Sequence, residues 1–181
     1  MDILKITAAD VDGKNFYVGP DVSNWHGSIE IAASLGLVTF PGKISAKFNI
    51  SIKAGTSIEA GGSIEAGWCI EAGGSIKAGG SIEAGWCIEA GGSIKAGGSI
   101  KAGKSIKAGW FIKAGWSIEA GRSIKAGWFI EAKTIGCKLR IFASLCSWRI
   151  PSEQEMTITG KIVSGNIAFG IHKLPEAQSN G

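Results

Sequence analysis

The chain is poor in the residues that most enzyme chemistry requires. Only two histidines occur, His26 and His172, and the long periodic block from 51 to 134 contains neither. A coil-borne histidine acting as general base is therefore excluded from that block, and neither flanking histidine sits in a recognisable motif. Serine is abundant, but as a repeating ladder without a paired base, so nothing activates it as a nucleophile. The four cysteines, Cys69, Cys87, Cys137 and Cys146, are too few and too scattered for a disulfide scaffold. With no CxxC and no histidine pair to complete a tetrahedral site, neither metal nor other cofactor is expected. A reduced, cytoplasmic protein is the expectation.

Long apolar runs are missing too. No stretch approaches the ~18 continuous apolar residues of a membrane span. The first residues, MDILKITAADVDG, lack the basic-then-apolar pattern of a signal peptide, so no membrane association is expected. The formal charge of +4 is mild; it permits an anionic partner without demanding one. Asp10-Val-Asp12-Gly13 opens like a calcium loop, but the remaining ligands do not follow, and it reads as a turn.

What the chain has is glycine, 28 residues of it, most of it in register with isoleucine. Isoleucine recurs at every sixth position from Ile52 through Ile130, 14 times without a break. The unit reads Ser, Ile, Lys or Glu, Ala, Gly and one variable residue. A six-residue beat drifts around a helix, whose period is 3.6, so helix is excluded. As a strand the unit is consistent: Ile and Ala share one face, and Ser and Lys/Glu share the other. The glycine and the variable residue then make a corner.

One corner per hexad does not close a coil, and a longer repeat supplies the number of sides. SIEAGWCIEAGGSIKAGG fills 63–80 and again 81–98. Trp68 and Trp86, Cys69 and Cys87, Trp110 and Trp128, and Phe111 and Phe129 are all eighteen apart. Three hexads therefore make one coil. The expected fold is all-β, a triangular single-stranded parallel β-helix (β-solenoid) with 18 residues per coil. Its regular block, 51–134, is about 22 Å tall at ~4.8 Å per rung. Residues 1–50 and 135–181 are expected to form irregular β caps, which solenoids need to cover their terminal coils.

These repeats resemble the hexapeptide-repeat β-helix proteins over about half the chain. The usual left-handed pattern places a small residue two before the aliphatic one, whereas here Ala sits two after Ile. In that respect the chain also resembles the bactofilins, polymer-forming proteins with a three-sided β-helix. The first resemblance implies a transferase as one possibility, testable at His26 and His172; the second implies self-assembly, as a homodimer or head to tail.

Folded at eighteen, the outward charges form columns. One reads Lys53, Glu71, Glu89, Lys107, Lys125; the second Glu59, Lys77, Lys95, Lys113, Glu131; the third Glu65, Glu83, Lys101, Glu119. Glutamate dominates the early hexads and lysine the late ones. Bulky residues gather at corners: Trp68, Trp86, Lys104 and Arg122 at one, Trp110 and Trp128 at the next, Trp116 at the third. Phe111 and Phe129 point outward beside the lysine column. The prism is too narrow to house these rings, so they are expected on its outside.

Lysine beside tryptophan and phenylalanine suits a protein or nucleoprotein complex, and it suits nucleic acid, whose bases stack on rings while phosphates meet ammonium groups. The expected function is a non-catalytic, rigid binding protein using Lys77, Lys95, Lys113, Trp110, Trp116, Trp128, Phe111 and Phe129, with Lys104, Arg122, Trp68 and Trp86. In style it resembles phage inhibitors of host nucleic-acid-processing or defence complexes, the anti-CRISPR proteins among them.

Overall fold

In a computed structural model of the protein, residues 2–144 and 151–175 are described. They form a parallel β-solenoid of about eight coils with almost no helix. Each side of the prism is a ladder of short parallel strands. The first face stacks Ile3–Ile6, Ser28–Ile31, Ile50–Ile52, Cys69–Ala72, Cys87–Ala90, Ser105–Ala108 and Ser123–Ala126. The second stacks Gly36–Phe40, Thr56–Ala60, Ile76–Ala78, Ile94–Ala96 and Ile112–Ala114. The third stacks Ile44–Ala46, Ile64–Ala66, Ile82–Ala84, Ile100–Ala102 and Ser117–Ala120. Two long strands, Ile130–Phe142 and Thr157–Phe169, then wrap around all three faces, and Ile171–Lys173 adds a last rung to the second.

The alternation within each hexad does what the sequence predicts. Isoleucines from Ile64 to Ile130 are fully buried in in-register columns, and the alanines two residues on are buried beside them. Each such isoleucine contributes roughly 1.5–3 kcal/mol. Outward serines knit adjacent coils. The Ser57 Oγ accepts from the Ser75 backbone N–H at 2.9 Å, and the Ser75 Oγ from the Ser93 N–H at 3.0 Å. A parallel series joins Ser63, Ser81 and Ser99.

The spacing of eighteen begins where Ile58 meets Ile76, and earlier coils are longer. Ile50, not Ile52, lies over Ile70, and Ile52 lies over Ala72. The two extra residues are absorbed after Lys53, where Gly55 takes φ +74°, a left-handed conformation that glycine adopts without strain. Thr56 locks the longer coil: fully buried, it donates to the Ala32 carbonyl at 2.8 Å and accepts from the Leu35 N–H at 3.0 Å. Consequently the first charge column is Glu30, Ser51, Glu71, Glu89, Lys107, Lys125. The expected place of Lys53 in it is corrected; Lys53 pairs with Glu30 at 3.4 Å.

At the N-terminal end Asp10 closes a short 3-10 helix, Ala8–Asp10, Val11 bridges to Tyr17, and Asp12-Gly13 opens a turn, as expected. Asp12 Oδ1 accepts from the backbone N–H groups of Lys14 and Phe16 at 2.9 and 2.8 Å. Tyr17 follows, its ring 4.8 Å from Phe40 and its hydroxyl donating to the Pro20 carbonyl at 2.8 Å. Burial, then Asp10 and Asp21, raise its pKa.

Candidate functional site

The corners are as legible in the backbone as the faces. At the corner between the third and first faces, each residue donates its N–H to the carbonyl one coil earlier, through Phe48, Trp68, Trp86, Lys104, Arg122 and Leu139. Between the first and second faces, Gly92, Trp110, Trp128 and Ser144 are linked the same way. Between the second and third faces the series runs Gly80, Gly98, Trp116, Lys133. A corner side chain therefore has the corner residues one coil above and below it in its own column. That makes rings stack along the axis and keeps them outside the prism.

The stacks follow. Trp68 and Trp86 lie 5.7 Å apart with planes 11° from parallel, and Phe48 extends this stack below Trp68 at 4.9 Å. Lys104 caps the other side, its ammonium 4.4 Å from the Trp86 ring centre, a cation–π geometry. On the next corner Trp110 stacks on Trp128 at 5.6 Å, and Phe111 on Phe129 at 4.9 Å. Trp116 is 66% exposed, with the Lys133 ammonium 5.1 Å from its ring.

The second face carries the lysine column between two of these corners. Its outward register is Thr39, Glu59, Lys77, Lys95, Lys113, Glu131, Thr159, Lys173. The stripe is less basic than its residue types suggest, because glutamates close it at both ends. Lys77 pairs with Glu59 at 2.5 Å and Lys113 with Glu131 at 2.8 Å. Lys95 stands between two lysines, exposed, without an ion pair among the described residues. The strand Ile112–Ala114 is flanked by Trp110, 51% exposed, at one end and Trp116 at the other. Beyond Phe129 a groove of about 350 Å³ continues along the face, lined by Glu131, Gln154, Thr157, Thr159 and Lys173.

The nominated residues thus fall into two groups. Lys77, Lys95, Lys113, Trp110, Phe111, Trp128, Phe129 and Trp116 share the second face and its edges. Trp68, Trp86, Lys104 and Arg122 occupy the opposite corner and belong to a different surface. Sequence reasoning missed Phe48, although it precedes Ile50 by two residues, as Trp68 precedes Ile70. It missed Lys133 because no Gly marks that corner.

The other two faces bear shallow grooves. One, of about 530 Å³, runs along Glu71, Glu89 and Lys107; another, of about 480 Å³, along Glu65, Glu83 and Lys101. The histidines do not meet: His26 lies in the opening coil, and His172 lies in the last strand with its Nε2 2.7 Å from the Gly160 carbonyl oxygen. Cys69 and Cys87 sit opposite each other, Cα to Cα 4.7 Å, and form a disulfide. The coil turns their separation of eighteen into adjacency, and the expectation of reduced cysteines is corrected at this pair. Cys137 is buried, which pushes its thiol pKa up. Cys146 lies outside the described residues. No helix is long and apolar enough to cross a membrane among the described residues.

Compared with known proteins, the chain matches no family model, no curated protein and no solved structure. The class that the fold defines is the parallel β-solenoid.

Proposed function

We propose that the protein is a non-catalytic binding module whose second face grips an anionic surface of a macromolecular partner. The observation that carries this reading is Lys95, without an ion pair among the described residues, on a rigid face whose next coil is edged by the exposed Trp110 and Trp116. A ring that is stacked on one side and exposed on the other offers apolar area without losing rotamer freedom on binding, and tryptophan is favoured at interface centres for that reason. The partner is a protein or nucleoprotein complex in the cytoplasm. In its inhibitory, anti-CRISPR-like form, the prism would plug a nucleic-acid-processing or defence complex of the host. The test is capture from a lysate of the encoding organism's host. Wild type should retain a partner that is lost on charge reversal of Lys77, Lys95 and Lys113 combined with Trp110→Ala and Trp128→Ala. Undiminished capture by that variant sinks the reading.

A second reading, bactofilin-like self-assembly, is favoured by the ends. Ile3–Ile6 and Ile171–Lys173 each pair on one side only among the described strands. Near the C-terminal end, Val163, Phe169 and Leu174 are 57%, 48% and 70% exposed. Open parallel edges beside apolar side chains suit coil-on-coil stacking. Size-exclusion chromatography with light scattering decides: concentration-dependent polymers support assembly, and a discrete species at all concentrations rejects it.

A further inference from the structure

Cys69 and Cys87 stand in a column that continues, coil by coil, as Ser105 and Ser123. Parallel register sets the two cysteines directly opposite each other, Cα to Cα 4.7 Å, at half-exposed positions. Two residues further along the same strands, Glu71 and Glu89 face outward, again in register. The two sulfurs and a carboxylate oxygen of Glu71 lie within 4.8 Å of one another. Two soft donors and one hard donor therefore converge on one patch of the first face, a donor set that no serine or lysine elsewhere in the repeat reproduces.

We propose that this patch is a redox-gated site for a thiophilic divalent cation of the Zn²⁺ class. As a disulfide it is closed. Reduced, it offers Cys69, Cys87 and Glu71 as three ligands, with the fourth position facing solvent.

The chemistry balances. Two equivalents of a small thiol attack the Cys69–Cys87 bond and leave as their own disulfide; two electrons and two protons pass to the cysteines, which become thiols. When the cation binds, both thiols release their protons to solvent. Two thiolates and one carboxylate then surround it, so the loss of two protons offsets the cation's two charges and the site stays at −1, as in the dithiol. In a tetrahedral centre with Zn–S of ~2.3 Å the two sulfurs stand roughly 3.8 Å apart. Side chains on adjacent rungs span that distance by small torsional changes. Thiolate donors select such a cation over Mg²⁺ or Ca²⁺. The rungs are fixed by ladder hydrogen bonds, and the Cys69 N–H is held by Asn49 Oδ1 at 3.1 Å, so the ligands are pre-positioned. Glu89, opposite Glu71, adds negative potential at the edge of the site.

The test uses the full chain, reduced with a dithiol that is then removed under argon, and titrated with Co²⁺. One equivalent should bind, with a near-ultraviolet thiolate-to-cobalt charge-transfer band that Zn²⁺ bleaches. The band should be absent from the oxidised protein and from Cys69→Ser and Cys87→Ser, which keep Cys137 and Cys146. Serine is the natural residue of this column one coil on, so these variants preserve the ladder, and circular dichroism checks that they do. Glu71→Gln should keep the band but weaken Co²⁺ binding by ~10-fold or more. A reduced wild type without the band, or a band unchanged in the serine variants, overturns the site. Undiminished affinity in Glu71→Gln overturns its ligand set.

Discussion

Trp110 and Trp128 stack across one coil with centroids 5.6 Å apart and planes 8° from parallel, and half of the Trp110 surface still faces solvent. The stack fixes both rings, while the exposed surface contributes nothing to folding. An aromatic pair of this kind is worth ~0.5–1.5 kcal/mol beyond its burial. Trp110→Ala should therefore cost only about 1–2 kcal/mol of stability, measured by chemical denaturation. If the second face is the binding surface, the same change should weaken partner binding by roughly 30-fold, a hot-spot loss of ~2 kcal/mol. Normal affinity with reduced stability would make the stack structural only.

The corner glycines are required by close approach between coils. A Cβ on Gly91 would run into the carbonyl oxygen of Gly73, one coil below, which is backbone and does not yield. Gly91→Ala should destabilise the solenoid by ~2 kcal/mol or more, lowering Tm by at least ~4 °C. Gly42, at a turn in an early coil, has nothing within 4 Å of the same position. Gly42→Ala should stay within ~0.5 kcal/mol of wild type. Equal melting of the two variants would refute the steric account of the corners.

The serine ladder has an end, and the end has a consequence. Ser57 and Ser75 each accept a hydrogen bond from the next serine's N–H, but after Ser93 the column becomes Phe111. Ser93 is 7% exposed, and its Oγ has no hydrogen-bond partner among the described residues. A buried unsatisfied hydroxyl costs ~1–3 kcal/mol. Ser93→Ala should accordingly leave stability unchanged or raise it by up to ~1 kcal/mol in denaturant titration. A loss of more than that would mean the hydroxyl is satisfied in solution.

Much of this was legible before any coordinates. The period of six gave strand and corner, the period of eighteen gave three sides, and the columns from Glu59 onward gave the neighbours of Lys77, Lys95 and Lys113. The reading slipped where the beat continued but the backbone did not. Ile52 keeps the sixfold spacing, yet Gly55 with φ +74° inserts two residues and moves Ile52 onto Ala72. Periodicity reports which residues face inward, and both Ile50 and Ile52 do; it does not report which of them starts the rung. The Cys69–Cys87–Glu71 patch was missed for another reason. Motif spacing along the chain, such as CxxC, searches for ligands within one turn, whereas a solenoid assembles them from adjacent coils. The period of eighteen does put Cys69 and Cys87 on adjacent coils; what it does not report is that Glu71, two residues along the same strand, brings a carboxylate to the two sulfurs.

Lys95 gives the sharpest separation of folding from function. It lies in register with Lys77 and Lys113, whose own glutamate partners are on the far sides, Glu59 and Glu131. Like charges directly opposite in a sheet are unfavourable, so the natural residue is the electrostatically worse choice at this position. Lys95→Glu would place a carboxylate between two lysines. Stability should rise by a few tenths to ~1 kcal/mol, and the gain should shrink in high salt as the charges are screened. Binding of an anionic partner surface should fall by about 10-fold or more in the same variant. A chain that gains stability and loses binding through one substitution is keeping Lys95 for its partner. If Lys95→Glu is less stable than wild type, the column energetics are misassigned; if it binds as well as wild type, the second face is not where the partner docks.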